Sequence, residues 1–348
     1  MSSILSRITA VCAVAGGLAL AAPLHAQTPE QFYTGKTIAV IVPFSAGGYY
    51  DSGGRLLARH IGQYIPGKPN LVVQNQPSGG GIGLANRFAV GENDGTLLGT
   101  LQRGLPQLAL TGDPNVRFDP LKLTWIGSLS AYATDSYILA INASHQVKRI
   151  EELRGPGAPL LRIGSNRSGS TNLTIALVVQ HALGLKHEIV RGYPGAADIN
   201  LAQQRSEVDG QYADVSFFQT NMRDIWEKGG LRTLVQTGRR TRLAELPDVP
   251  LARELTDSPE MKALLEFAEM PFEMALPVAA PANIPRDRAA VLKKAFDAMA
   301  TDANFLAEAK KMNFVVDPIS GDEVLAIIQR AAKTPRNVID LYKKLIEQ

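Results

Sequence analysis

Residues 37–64 read TIAVIVPFSAGGYYDSGGRLLARHIGQY, and this stretch decides the fold. Residues 38–42 are apolar and mostly β-branched with no polar alternation, which describes a strand buried on both faces. A loop of small residues, 43–51, follows. Residues 52–64 then place Leu56, Leu57, His60, Ile61 and Tyr64 on one side at helical spacing. Buried strand, small-residue loop and amphipathic helix in succession form the repeating unit of an α/β fold.

The unit recurs along the chain. Strand-like runs at 71–73, 97–101, 137–141, 161–163, 188–190, 212–215 and 231–236 alternate with helix-period segments at 82–90, 171–183, 196–204 and 219–228. The tail is mostly helical. Pro285 opens a helix to about residue 300, Ser320 and Glu323 form a capping box ahead of 324–332, and Pro335 opens the last helix. The expected fold is α/β with largely parallel sheets. A chain of 348 residues exceeds what one hydrophobic core serves, so two lobes are expected. Ligands of such sheets sit beyond the carboxyl ends of the strands. A site therefore belongs to the loops after Val42, Leu101, Ile163, Val190 and Val215.

Upstream, Arg7 is the one charge ahead of an apolar run at 8–22, and Pro23-Leu24-His25-Ala26 supplies small and turn-forming residues. This is the layout of a secretory signal peptide cleaved after Ala26. Its core is shorter than the roughly 20 residues a spanning helix needs. The one cysteine, Cys12, lies inside it, so the mature chain is expected to have no disulfide, thiolate metal site or cysteine nucleophile. The formal net charge is +3 with the two signs mixed, and the short cluster Arg239-Arg240-x-Arg242 reads as a solvated loop. Neither a nucleic acid nor a membrane surface is an expected partner.

Two loops carry the chemistry. In the first, Phe44-Ser45-Ala46-Gly47-Gly48-Tyr49-Tyr50-Asp51, the glycines bring main-chain N–H groups within reach of an anion at a helix N-terminus. An ordinary glycine turn with Asp51 as helix cap is the alternative. The second, Ser165-Asn166-Arg167-Ser168-Gly169-Ser170-Thr171, also follows a strand and opens a helix, and adds hydroxyls and a guanidinium. Arg191, at the end of the next strand and two residues before Tyr193, is a further anion partner or a surface ion-pair residue. The rings of Tyr49 and Tyr50 either form a flat wall for an unsaturated ligand or pack on the lobe. The glycines at 79–83 lack dinucleotide spacing, since Leu84 and Asn86 stand where glycine is needed. No nucleophile elbow is present, and His60, His145, His181 and His187 form no metal-ligand pair. No cofactor, metal or catalytic residue is expected.

Several segments, in this order and spacing, resemble the substrate-binding proteins of tripartite tricarboxylate transporters, the Bordetella-type uptake family. They are Lys36-x-Ile38-x-x-Ile41-Val42-Pro43-Phe44-x-x-Gly47-Gly48-x-x-Asp51, Gln74-Asn75-Gln76-Pro77 and Asp94-Gly95-Thr96-Leu97-Leu98. Further along come Gly164-Ser165 with Gly169-Ser170, Tyr193-x-Gly195, Val208-Asp209, Leu246-Pro247-Asp248-Val249-Pro250 and Ala280-Pro281-x-x-Ile284-Pro285. The resemblance implies a two-lobed, type II Venus-flytrap fold in the periplasm that closes on a small carboxylate and hands it to membrane subunits. By the same resemblance the first loop, the second loop, Gln102-Arg103 and Tyr193 surround the ligand. The expected lobes are residues 27–133 with 238–348, and 134–237, with 256–270 open to either side.

The sequence departs from the family pattern at Tyr50, where Thr or Ser is common. It departs again in a glycine turn one residue short at 78–83 and in the missing aromatic after Gly95. These departures set an aromatic carboxylate beside a di- or tricarboxylate as the expected ligand. A periplasmic ligand sensor and an exported hydrolase are the alternative functions.

Overall fold

The computed structural model describes residues 27–77, 79–91, 94–166 and 170–347. The expected signal peptide, 1–26, lies outside the described residues, as do Arg167, Ser168 and Gly169.

Strands β1 (Thr37–Val42), β2 (Asn70–Asn75), β3 (Leu97–Thr100), β4 (Thr124–Ser128), β5 (Tyr137–Asn142), β6 (Arg162–Asn166), β7 (Glu188–Tyr193), β8 (Gly210–Asp214), β9 (Leu231–Thr237), β10 (Pro277–Ala280) and β11 (Ile319–Ser320) form two sheets. The first runs β11-β4-β10-β3-β1-β2 and the second β7-β6-β8-β5-β9. Both follow one plan. A parallel block, β2-β1-β3 or β7-β6-β8, is flanked by an antiparallel strand, β10 or β5. Each antiparallel strand is the first that the chain lays down after crossing from the other sheet. The sheets are therefore mixed rather than largely parallel, because a strand arriving from the other lobe enters against the direction of the block.

Position in the sheet sets each strand's pattern. β1 is interior, and Ile38, Val40, Ile41 and Val42 are all buried. β2 is an edge strand, so exposure alternates along it. The helix Tyr49–His60 lies tightly on the first sheet. A Cβ on Gly54 would come 2.8 Å from Val42 Cγ2, and one on Gly53 would come 2.8 Å from Leu276 Cδ1. This close approach sets the helix N-terminus over the end of β1. The helix starts at Tyr49 rather than at the expected Ser52, because Gly48 serves as its N-cap and Asp51 falls in its first turn. The helix expected over 219–228 is two, Val215–Asn221 and Arg223–Glu227, broken at Met222.

One face of the first sheet packs Val40, Leu57, Leu98, Phe296 and Phe305 into a core of its own. Its other face joins the second lobe in a continuous buried cluster that includes Ile41, Leu105, Ile163, Ile175, Phe267 and Tyr342. The helix Pro259–Glu269 packs on Thr171–Leu183, and the last helix, Arg336–Ile346, packs on both of these and on Leu105–Thr111. The lobes thus share apolar packing on one side of the junction. The strand-end loops of β1, β3, β6 and β8 meet on the other.

Candidate ligand-binding cleft

The first loop is tied from beneath. Gly47 has φ +89°, the left-handed region that favours glycine, and its N–H donates to Asp51 Oδ2 at 2.8 Å. Arg55 Nε donates to the same oxygen at 2.9 Å, and Asn75 Nδ2 donates to Asp51 Oδ1 at 2.8 Å and to the Phe44 carbonyl at 3.1 Å. Burial alone would raise the Asp51 pKa. The bonds from Arg55, Gly47 and Asn75 outweigh it and hold the group at about 2. Asp51 is 3 % exposed and turned under the loop.

Above this knot stand the tyrosines. Tyr50 stacks on Phe44 with ring centroids 4.7 Å apart, and its hydroxyl accepts the Arg103 N–H at 3.1 Å. Tyr49 stacks on Phe314 at 5.0 Å. Burial of its phenol pushes the Tyr49 pKa to about 12 against the pull of Arg103, and the hydroxyl meets Ser130.

The second loop is tied by a neutral residue. Asn172 Oδ1 accepts from Ser170 Oγ at 2.8 Å, Asn166 N at 3.4 Å and Ser165 Oγ at 3.5 Å, and its Nδ2 donates to Asn166 Oδ1 at 2.7 Å. Asn166 Nδ2 in turn donates to the Tyr193 carbonyl at 2.9 Å. The hydroxyls of Ser165 and Ser170 are thus directed to Asn172.

Between the lobes lies a cavity of about 500 Å³. Tyr49, Tyr50, Gln102 and Arg103 line it from the first lobe, Thr171, Asp214 and Ser216 from the second, and Ser130, Tyr132 and Asp135 from the crossing segment. Asn313, Phe314 and Val315 close one side. Among the described residues, Arg103 is the cation that lines it. The guanidinium lies 4.8 Å from the Phe272 ring centroid and 5.8 Å from that of Tyr132, and Nη1 donates to the Tyr132 hydroxyl at 3.4 Å. Burial opposes its charge, but the oxygens of Tyr132, Tyr50 and Asp214 favour it more, and the pKa stays above the ordinary arginine value. The Tyr132 hydroxyl donates onward to Asp214, so a hydrogen-bonded chain runs from lobe to lobe. Tyr132 itself holds φ +57°, uncommon for a residue with a side chain. Asp135 accepts from Ser136 N at 2.8 Å and from Ser216 N and Oγ at 3.3 and 2.5 Å. Burial pushes its pKa up, the Ser216 hydroxyl works against this, and the neighbouring Asp214 works with it.

The fold thus brings Tyr49, Tyr50, Gln102, Arg103 and Thr171 together around one cavity. Ser45, Gly47 and Gly48 are exposed and not among its lining residues, and Phe44 supports Tyr50. Arg191 is exposed on β7, and neither it nor Tyr193 is among the residues lining the cavity. Tyr132, Asp135, Asp214 and Ser216 escaped the sequence reading. Asp214 ends a strand, a position that the strand-end rule marks in general, but Tyr132 and Asp135 lie in an irregular crossing with no periodic signal. A second, more apolar cavity of about 310 Å³ shares Gln102, Arg103 and Thr171 and extends toward Leu105, Ile175 and Tyr342. Among the described residues, no histidine lines either cavity.

No family model matches the sequence, nor does any curated protein. Solved structures do match. A TctC solute-binding protein from Polaromonas, solved without ligand, is similar at TM-score 0.68 and 21% identity, over 90% of this chain and 99% of that one. The periplasmic binding protein BugD is similar at TM-score 0.56 and 19% identity, over 90% and 98% of the two chains. MatC from Rhodopseudomonas palustris, solved with bound malate, is similar at TM-score 0.55 and 18% identity, over 89% and 99%. With both sheets on one strand plan and a cavity between them, the chain has the two-lobed α/β fold of these periplasmic binding proteins.

Proposed function

We propose that the protein is a periplasmic solute-binding protein that closes its cleft on a small organic carboxylate and delivers it to the membrane subunits of a tripartite tricarboxylate-type transporter. One observation carries the reading: among the described residues one guanidinium, Arg103, lines the interlobe cavity, stacked on Phe272 and reaching the opposite lobe through Tyr132. An arginine held in a hydrogen-bonding frame inside a cleft suits a carboxylate, since its planar fork matches the two carboxylate oxygens. Similar folds were solved with such ligands, MatC with malate and a second R. palustris protein, Rpa4515, with adipate. We assign residues 1–26 to a cleaved export signal, 27–133 and 238–348 to one lobe and 134–237 to the other. In that division the helix Pro259–Glu269 is seated on the second lobe.

The role is binding rather than catalysis. Among the described residues the lining combines one cation, hydroxyls and carboxylates, and its one serine–carboxylate pair, Ser216 with Asp135, also engages the Ser216 N–H, the pattern of a helix cap. The shared apolar side acts as the hinge, and the Arg103–Tyr132–Asp214 chain forms where the lobes meet.

The test is a thermal-shift screen of residues 27–348, unfolded and refolded to strip any ligand, against aliphatic and aromatic mono-, di- and tricarboxylates. A ligand at a hundred times its dissociation constant adds about 2.7 kcal/mol of stability. A clear rise in midpoint with one class supports the reading. A flat response to every carboxylate would overturn it.

A further inference from the structure

Resting on that carboxylate reading, we propose that the cleft also recognises a cationic nitrogen through Asp214, so that its ligand is an amino-carboxylate rather than a simple dicarboxylate. Among the described residues, the charged side chains lining the cavity are Arg103, Asp135 and Asp214, one cation against two carboxylates. A dicarboxylate would bring two more negative charges into this lining. A zwitterion matches one carboxylate to Arg103 and leaves its nitrogen for the acidic side.

What frees Asp214 is a division of labour between the two aspartates. An aspartate at a helix N-cap ordinarily spends its carboxylate on the first N–H groups of that helix. Asp214 is the N-cap of Val215–Asn221, yet its side chain makes no capping bond. Asp135, arriving from the crossing segment, accepts from the Ser216 N–H and hydroxyl in its place. The Asp214 carboxylate turns into the cleft instead. There, among the described residues, it accepts one hydrogen bond, from Tyr132. A carboxylate has room for about four, so acceptor capacity remains for an ammonium. The setting suits one. The hydroxyls of Ser130 and Ser216 line the same cavity, and the half-exposed ring of Tyr49 offers a π face.

A site built to take a hydrogen bond rejects the analogue that lacks the donor much more strongly than an apolar pocket rejects a missing methylene. Calorimetric titration of the refolded mature protein with matched pairs reads this directly. Suitable pairs are butyrate with 4-aminobutyrate, glutarate with glutamate, and benzoate with 4-(aminomethyl)benzoate. We expect the amine-bearing member of at least one pair to bind about tenfold or more tighter. In Asp214→Asn that preference should disappear while glutarate binds more tightly than before. Asp214→Glu, which keeps the charge, should restore part of the preference and guards against a folding defect in the first variant. Equal or tighter binding of the amine-free member in every pair would overturn the inference and leave the carboxylate reading standing. So would equal weakening of both members by Asp214→Asn, which would make Asp214 only a positioning residue for Tyr132 and Arg103. If no member of any pair binds, this inference falls, and the carboxylate reading stands or falls with the wider thermal-shift screen.

Discussion

The two strand-end loops solve one problem with different chemistry. Each follows the central strand of a parallel block, β1 or β6, each is built from small residues, and each opens a helix that begins at the cleft. The first is gathered by a charged residue, Asp51, the second by a neutral one, Asn172. In both, the described polar side chains that look like ligand partners are spent holding the loop. Asp51, Ser165 and Ser170 hold the backbone in place, while the neighbouring Tyr49, Tyr50 and Thr171 face the cavity. The difference concerns what holds each loop. A charged knot is stronger and depends on pH; a neutral knot is weaker and does not.

Breaking the charged knot should have the largest effect. Asp51→Ala leaves the Gly47 N–H without its acceptor, removes one of the two acceptors of Asn75 Nδ2 and takes the ion-pair partner from Arg55. We expect a loss of about 3 kcal/mol in denaturant unfolding, at the lower end for removing one member of a buried pair because Arg55 is half exposed. The same knot should show in acid. The folded Asp51 pKa, about 2, lies below its ordinary value of 3.8. Its stabilisation, roughly 2 kcal/mol by linkage, is therefore fully present above the ordinary value and is lost as pH falls toward 2. The stability gap between wild type and Asp51→Asn should narrow over that window.

The neutral knot sharpens the contrast. Asn172→Ala removes an acceptor shared by Ser165, Ser170 and the Asn166 N–H, at a cost of about 1–3 kcal/mol. No carboxylate takes part, so that loss should stay constant across the same acid titration. Gly47→Ala is the mildest change. A Cβ there meets nothing within 4 Å, and only the left-handed backbone resists it, at a cost of about 1 kcal/mol. Thermal melts of the two variants at neutral pH check both values.

Much of this was legible in the sequence. The helices at 82–90, 171–183 and 196–204 have the ends that their periodicity predicts, each following a glycine or serine cap. Thr171, which lines the cavity, was legible because the carboxyl ends of a parallel block must face the cleft, and Arg103 was brought in by the family resemblance. The helix after β1 begins three residues early because a glycine, not Asp51, caps it. β10 was not legible. It starts with Pro277, is four residues long, and owes its place to a return from the other lobe that no local pattern records. The acidic side of the cleft was hidden for the same reason. Asp135, Asp214 and Tyr132 are distant in sequence or irregular in backbone, and only the crossing of the chain brings them opposite Arg103.

The most direct test of the account is the affinity of Arg103→Met. The substitution keeps an apolar side chain against Phe272 and removes the charge. Titration calorimetry should use the carboxylate that gives the largest thermal shift with the refolded wild-type protein. The account predicts a loss of roughly 100-fold or more, as expected when a desolvated charge partner is removed. An affinity unchanged within experimental scatter would contradict it, because the carboxylate would then be held somewhere other than at Arg103.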